Sequence, residues 1–455
     1  MKYKRNKITS TILFMTLILL FVGIGKKIII KSKFNNKENK ESLYEIYKLS
    51  STLSPFINDQ NIEELNDRYR EVESKLKKCD NYKDLYFLHL ELLASIKDNH
   101  SFLITSEELS KNIGYLPVEF LLDDGNIYIK GVGFENTNLK KGAKLIKYNN
   151  LSVEDLLKEL EKYSNSTNEE GIAENINLIR IGNLGEDIKL TFLNPGGSTQ
   201  VEKIKFIENY SMSIRPPKNL FYSDEIFWLY ESNGMKVLKI NNFKDDNFKR
   251  SFFNNVLPLL KNTDKIIIDV RDNSGGDASN GLLVLNCISD YKEYYNYDFI
   301  YRKNLLELSE KYKSRKGEES AHEVVQWIEN LNIKKDDFYK TNVRNSELIR
   351  LENQKNGVNI KSIYILSSKN TVSAGEDFIF YSKQNPSIKI IGEKTKGATG
   401  QVFKFNLKNK NSFFLTLYKC EMQNKPVNNI GIEPDYYWHK NKSINELTRE
   451  LKDIK

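Results

Sequence analysis

Two stretches of this chain put small and nucleophilic residues where strands give way to turns. The first, Asp269-Val270-Arg271-Asp272-Asn273-Ser274-Gly275-Gly276, directly follows the apolar run Ile266-Ile267-Ile268. Adjacent glycines let backbone N–H groups converge on a cleft, because no Cβ blocks the approach. The second, Ser367 to Asp377, runs from a strand into a helix and places Ser373 at the helix N-terminus. The partial positive charge there favours an anion. A serine so placed attacks a carbonyl while nearby amides stabilise the oxyanion, which is acyl-transfer chemistry. The same residues also fit a purely structural role, because Ser373 with Glu376 three positions on is a capping box.

The elements around these turns alternate. Glu225–Tyr230 and Lys236–Ile240 read as strands, Asp246–Leu260 as helical, Lys265–Val270 as a short buried strand, Gly281–Ile288 as helical, and Ser362–Leu366 as another buried strand. Such alternation predicts a layered α/β core over 225–440. A charged stretch over about 290–354 interrupts it and reads as a mostly helical insertion, a lid or an outer decoration. Ahead of the core, 106–224 is β-rich. Tyr115–Leu122 and Asn126–Val132 form a hairpin across Asp123-Asp124-Gly125, and a helix follows from Val153 to Lys162. That order fits a PDZ-like module, which adds extended peptides to a sheet edge, and equally a plain β-rich insert. Residues 31–105 read as a helical cap domain, with Leu85, Leu88 and Leu92 forming one apolar stripe, and 441–455 read as a C-terminal tail.

A chain of 455 residues exceeds what one core usually organises. Its 39% hydrophobic and 29% charged residues describe a folded protein with a well-charged surface. The net charge of +8 is dispersed, with no basic block beyond the N-terminus, which argues against a nucleic-acid partner. Cys79, Cys287 and Cys420 are isolated, so neither a disulfide framework nor a zinc site is implied. At the N-terminus, Lys2, Lys4, Arg5 and Lys7 precede an apolar run from Ile8 to Ile24, and Lys26 and Lys27 follow it. This is an export pattern of nearly membrane-spanning length. Without a clear small-x-small exit, it reads as an uncleaved anchor over 8–25, within a basic-flanked segment 1–30. The remainder then lies outside the cytoplasmic membrane; secretion after cleavage is the alternative.

Four motifs, in order, carry a resemblance. Asp269 to Gly276 resembles the Asp-Leu-Arg-x-Asn-x-Gly-Gly motif of the C-terminal processing (tail-specific) serine proteases. Val372-Ser373-Ala374-Gly375-Glu376 resembles their nucleophile segment, Ile391 to Gly397 their Gly-Glu-x-Thr-x-Gly loop, and Gly431-Ile432-Glu433-Pro434-Asp435 their Gly-x-x-Pro-Asp close. The resemblance covers about half the chain. It implies a crotonase-like α/β core, a protein or peptide substrate, no metal or organic cofactor, Ser373 as nucleophile, and an oxyanion hole from Ala374 with Gly275 or Gly276.

The family's serine–lysine branch has a lysine directly after the last glycine of the third motif, where this chain has Ala398. Lys394 and Lys396 are nearby, but a solvated lysine is a poor base. The tricorn-like branch takes a histidine from an Asp-x-His-Ser/Thr segment, which Asp98-Asn99-His100-Ser101 resembles. Histidine both accepts and returns a proton near neutral pH, so His100 is the expected base. Of the other three histidines, His89 reads as packing and His322 and His439 as surface residues. The orienting third residue stays open among Asn428, Glu433 and Glu376, since asparagine orients an imidazole without charge. Two other functions remain: an inactive peptide- or lipid-binding scaffold on the same fold, and a crotonase-like acyl-CoA enzyme, against which export argues.

Overall fold

Short isoleucine-rich runs bounded by charged residues build the centre of the molecule. The computed structural model describes residues 36–133, 137–164, 175–208, 217, 219–244, 247–301, 305, 326, 348–351, 357–438 and 443–452. Lys265–Asp269, Ser362–Ser367 and Ile388–Gly392 are the near-continuous apolar runs expected of parallel strands covered on both faces. They lie parallel in a seven-stranded sheet ordered Leu220–Ser223, Phe227–Ser232, Met235–Ile240, Lys265–Asp269, Ser362–Ser367, Ile388–Gly392, Tyr436–Tyr437. The first two pairings are antiparallel and the rest parallel.

Register sorts the side chains between two layers. Leu238, Ile268, Ile365 and Ile390 stand opposite one another and join the core that holds the helices Ala278–Ile288 and Ala374–Ser382. Val237, Ile267, Leu366 and Ile391 point the other way, against Leu447 and Leu451. Those two leucines belong to a helix, Ile444–Lys452. The stretch expected to be a tail is therefore largely a structural element that covers the second face, with Ser232 Oγ donating to Asn445 Oδ1 at 2.6 Å.

The β-rich region has its own sheet. Val118–Asp123, Asn126–Val132, Lys144–Tyr148, Asp187–Leu193 and Thr199–Lys205 follow in that order, with Leu151–Ser152 beside Lys144–Tyr148. Asp124 (φ 46°) and Gly125 (φ 67°) make the two-residue turn of its first hairpin, since two left-handed residues match the strand twist. Phe120, Leu145, Leu190 and Phe192 pack with Leu156 and Leu160 of the helix Val153–Glu161 in a cluster separate from the main core.

The helices Asn36–Leu53, Ile62–Leu76 and Tyr82–Ala94 join the main core through Leu43, Ile46, Leu65 and Leu92. The chain then leaves as Phe102–Ile104, antiparallel to Ser412–Thr416, which pairs with Val402–Asn406. That stitch carries the segment around residue 100 onto the α/β core. Of the insertion over 290–354, the described ends are strands rather than helices. Asp298–Tyr301 pairs with Tyr418–Met422, and Tyr294, Tyr297 and Tyr301 are buried. In the first of these strands, Glu293–Tyr295, buried Tyr294 sits between two exposed neighbours, the period-two pattern of a strand. The segment 8–25, expected to be an anchor, lies outside the described residues. Among the described residues, no helix is long and apolar enough to cross a membrane.

Candidate active site

The glycine turn and the serine turn are sewn together by short polar side chains. Arg271 forks onto the buried Asp269 through Nε and Nη2 at 2.9 and 2.7 Å, fixing the start of the first turn. Thr371 Oγ1 donates to the Val270 carbonyl at 2.8 Å, and Ser368 Oγ donates to that of Arg271. Buried Asn273 donates from Nδ2 to the Ile240 carbonyl and accepts the Gly275 amide on Oδ1, at 3.0 and 2.9 Å.

Ser373 follows with φ 53° and ψ −128°, a conformation that costs a non-glycine residue on the order of 1–3 kcal/mol. Its amide donates to the Ala398 carbonyl at 2.6 Å, and its carbonyl accepts from the amides of Glu376 and Asp377. The side chain makes no capping bond to the helix. The capping-box explanation therefore fails here, and the backbone has instead the strand–sharp turn–helix shape that raises a nucleophile. Gly275 (φ 82°) lies so close that a Cβ on it would stand 2.6 Å from Ser373 Cβ and 3.1 Å from Oγ.

The oxyanion candidates differ in how their amides are used. Gly275 spends its N–H on Asn273, so it supplies close approach rather than a donor. The bridge from this turn to Phe243 uses the Gly275 carbonyl and the Asp277 amide and leaves out the Gly276 amide. Ala374 is the first residue of its helix, so its amide has no intrahelical acceptor.

His100 is held by its own motif. Asp98 Oδ1 accepts the His100 amide at 3.0 Å, Oδ2 accepts the Ser101 hydroxyl, and Ser101 Oγ accepts the Thr416 amide at 3.1 Å. Asn429 ties this segment to the loop Thr395–Gly400. Its Oδ1 accepts from the Asn99 amide, its Nδ2 donates to the Lys97 carbonyl, and its own amide donates to the Gly397 carbonyl. The His100 ring faces the carbonyls of Thr399 and Gly400. Its Nδ1 is buried without a partner in hydrogen-bond geometry. Burial holds the imidazole below its usual 6.5, while Asp98 and the two carbonyls pull the other way. Ser373 and His100 thus bear on three consecutive residues of one loop, although 273 positions (373 − 100) separate them.

The three orienter candidates are placed otherwise. Asn428 accepts the Cys420 amide on Oδ1 and donates from Nδ2 to the Thr399 carbonyl, at 2.6 and 2.7 Å, so it acts on the loop beside His100. Glu433 is exposed, accepts from the Tyr437 hydroxyl, and lies 3.7 Å from Lys394 Nζ. Glu376 is fully buried beneath the loop, accepting from Thr395 Oγ1 and from the amides of Gly397 and Ala398. Burial pushes its carboxyl up to about 7 against the pull of those three donors. Beside it Asp377, raised by burial to about 6, accepts from Thr399 Oγ1 at 2.8 Å. Asp98, Thr399 and Asn429 were given no role from sequence. The Asp-x-His-Ser spacing itself signals Asp98, because an aspartate readily accepts the amide two residues on.

His89 is buried with Nδ1 2.8 Å from the Leu85 carbonyl, and burial pushes it down to about 4, as befits a packed residue. His322 and His439 lie outside the described residues. The three cysteines are buried and unbridged. Among the described residues, no group of three or more His, Cys, Asp or Glu is arranged to hold a metal ion.

Residues 235–438 match the model of peptidase family S41. Mature CPAF superposes with a TM-score of 0.64 at 15% identity, covering 88% of this chain and 92% of that one. Mature CPAF complexed with lactacystin gives 0.62 at 16%, covering 88% and 94%. At these identities the likeness is one of fold. Comparison with curated protein sequences returned no match. The fold likeness and the family match fall on the same region, an α/β core of the serine-type peptidase S41 kind. The matched residues, 235–438, hold the α/β core and the site turns, and it is this part of the chain that resembles peptidase family S41.

Proposed function

We propose that the chain is an endopeptidase in which Ser373 Oγ attacks a peptide carbonyl and His100 accepts the hydroxyl proton. The amides of Ala374 and Gly276 hold the oxyanion. His100 then returns the proton to the leaving amine, and water repeats the cycle on the acyl-enzyme. The observation that carries this reading is that the left-handed Ser373 is hydrogen-bonded to the same loop that His100 faces. Ala398, where the lysine branch has its base, uses both backbone polar groups on Ser373 and Glu376.

A cavity of about 630 Å³ supports a peptide substrate. Leu121 and Tyr128 of the six-stranded sheet line one side, and Arg271, Asn370 and Lys396 of the three site turns line the other. Val118–Asp123 is the terminal strand of that sheet, so an extended peptide can add to its edge and run towards Ser373. This is the PDZ-like reading of the insert, joined to a crotonase-like core. A fluorophosphonate probe tests the proposal. Wild type should label at Ser373 and cleave peptides, whereas Ser373→Ala should do neither while keeping its melting midpoint. A folded wild type that binds peptide but neither labels nor cleaves would make the chain a binding scaffold.

The basic-flanked run 8–25 supports a catalytic part held outside the cytoplasmic membrane. Protease added to intact cells should degrade the folded part, and its protection would reject that orientation.

A further inference from the structure

The backbone of Ala398 closes a ring around the nucleophile. Its carbonyl accepts the Ser373 amide at 2.6 Å, and its N–H donates to Glu376 Oε2 at 2.6 Å. Glu376 stands three residues after Ser373 on the helix that Ser373 opens, and its own amide donates to the Ser373 carbonyl at 2.7 Å. Glu376 Oε1 takes the Thr395 hydroxyl and the Gly397 amide, and Thr395 Oγ1 in turn accepts the Ile432 amide at 2.7 Å. Asp377 holds the hydroxyl of Thr399, whose carbonyl faces His100. Two successive carboxyl groups on the serine's helix therefore grip the loop through residues 395, 397, 398 and 399.

We propose that Glu376 and Asp377 are positioning residues that act through the loop Thr395–Gly400, Glu376 holding Ser373 in its left-handed conformation by way of Ala398 and Asp377 setting Thr399 against His100. Neither needs to touch substrate. Glu376 works as a carboxylate, because two amide N–H groups and a hydroxyl converge on it and an amide side chain would turn an NH₂ towards one of those donors. The titratable groups facing it are Asp377 on its own helix, Tyr297 ahead of Asp298–Tyr301, and Cys420 on Tyr418–Met422. Burial pushes the last two well above their ordinary values, so they stay neutral around pH 7.

This inference rests on the peptidase reading for its kinetic arm only. In Glu376→Gln, kcat should fall on the order of 10²-fold with KM nearly unchanged, as expected when a reacting atom is misplaced. The acid limb of kcat/KM that Glu376 sets near pH 7 should disappear, leaving the His100 limb below 6.5. Exchange of the Gly397 and Ala398 amides, measured on the full chain, should quicken at least about tenfold as their acceptor weakens. If wild type shows no turnover and no probe labelling, the peptidase reading fails while amide exchange still decides the clamp. If Glu376→Gln does not fold, Thr399→Val, which removes the bond to Asp377 and spares Glu376, should lower kcat without changing KM. A folded variant with wild-type kcat and an unmoved acid limb, or with unchanged exchange at 397 and 398, overturns the proposal.

Discussion

Replacing His100 with alanine should lower kcat on the order of 10³-fold and leave KM within a small factor, the signature of a lost general base. Stability should change little at pH 7.5, because the imidazole is buried with an unpartnered Nδ1 and gives up solvation for few bonds. Its pH dependence has a definite sign. The folded pKa lies below the unfolded value, so the unfolded chain binds the proton first. Wild type therefore loses stability as pH falls from 6.5 towards the folded value, and His100→Ala lacks that loss. Urea midpoints of the two proteins should converge, or cross in favour of the variant, between pH 7.5 and 5.5. Lys394→Ala and Lys396→Ala serve as controls and should keep most of the activity. Near-normal turnover in His100→Ala, with a thousandfold loss in either lysine variant, would return the mechanism to a serine–lysine dyad.

Sequence revealed the parts of the site whose identity resides in side chains and missed those that reside in the backbone. Gly275, Gly276 and Ser373 lie in contiguous motifs after apolar strands, so both turns and the strand–helix switch were legible. The work of Ala398 was not, because its carbonyl and N–H would serve equally well from many residue types. Glu376 was misjudged for a related reason. Ser-x-x-Glu spacing suits a capping box, and only the approach of Thr395–Gly400 from elsewhere in the chain turns that carboxylate inward. The layered core followed from its apolar runs. Leu447 and Leu451 were overlooked within a charged terminus, where two leucines at four-residue spacing are a weak signal until a sheet face requires cover.

Gly275→Ala should disable the site while leaving the fold largely intact, whereas Gly276→Ala should damage the fold itself. An added Cβ at 275 would lie 2.6 Å from Ser373 Cβ, 3.1 Å from its Oγ and 3.2 Å from the Val372 carbonyl oxygen. Its closest clashes are with the Ser373 side chain, so relief comes by moving the nucleophile. Alanine at φ 82° also adds on the order of 1 kcal/mol of backbone strain. A displacement of about 1 Å at a reacting atom is worth roughly 10²-fold in rate, so kcat and probe labelling should fall together by about that factor or more. At 276 the nearest atoms are the Phe243 carbonyl carbon at 2.2 Å and the Lys244 nitrogen at 2.3 Å. These are backbone atoms beside a fully buried phenylalanine, which cannot give way as a side chain can. That variant should lose about 3 kcal/mol or more of stability, or fail to fold. Melting midpoints, turnover and labelling rates of the two variants together make the comparison. Wild-type kcat and labelling in a well-folded Gly275→Ala would mean that Ser373 does not need the position it holds against this glycine, and the proposed nucleophile geometry would fall with it.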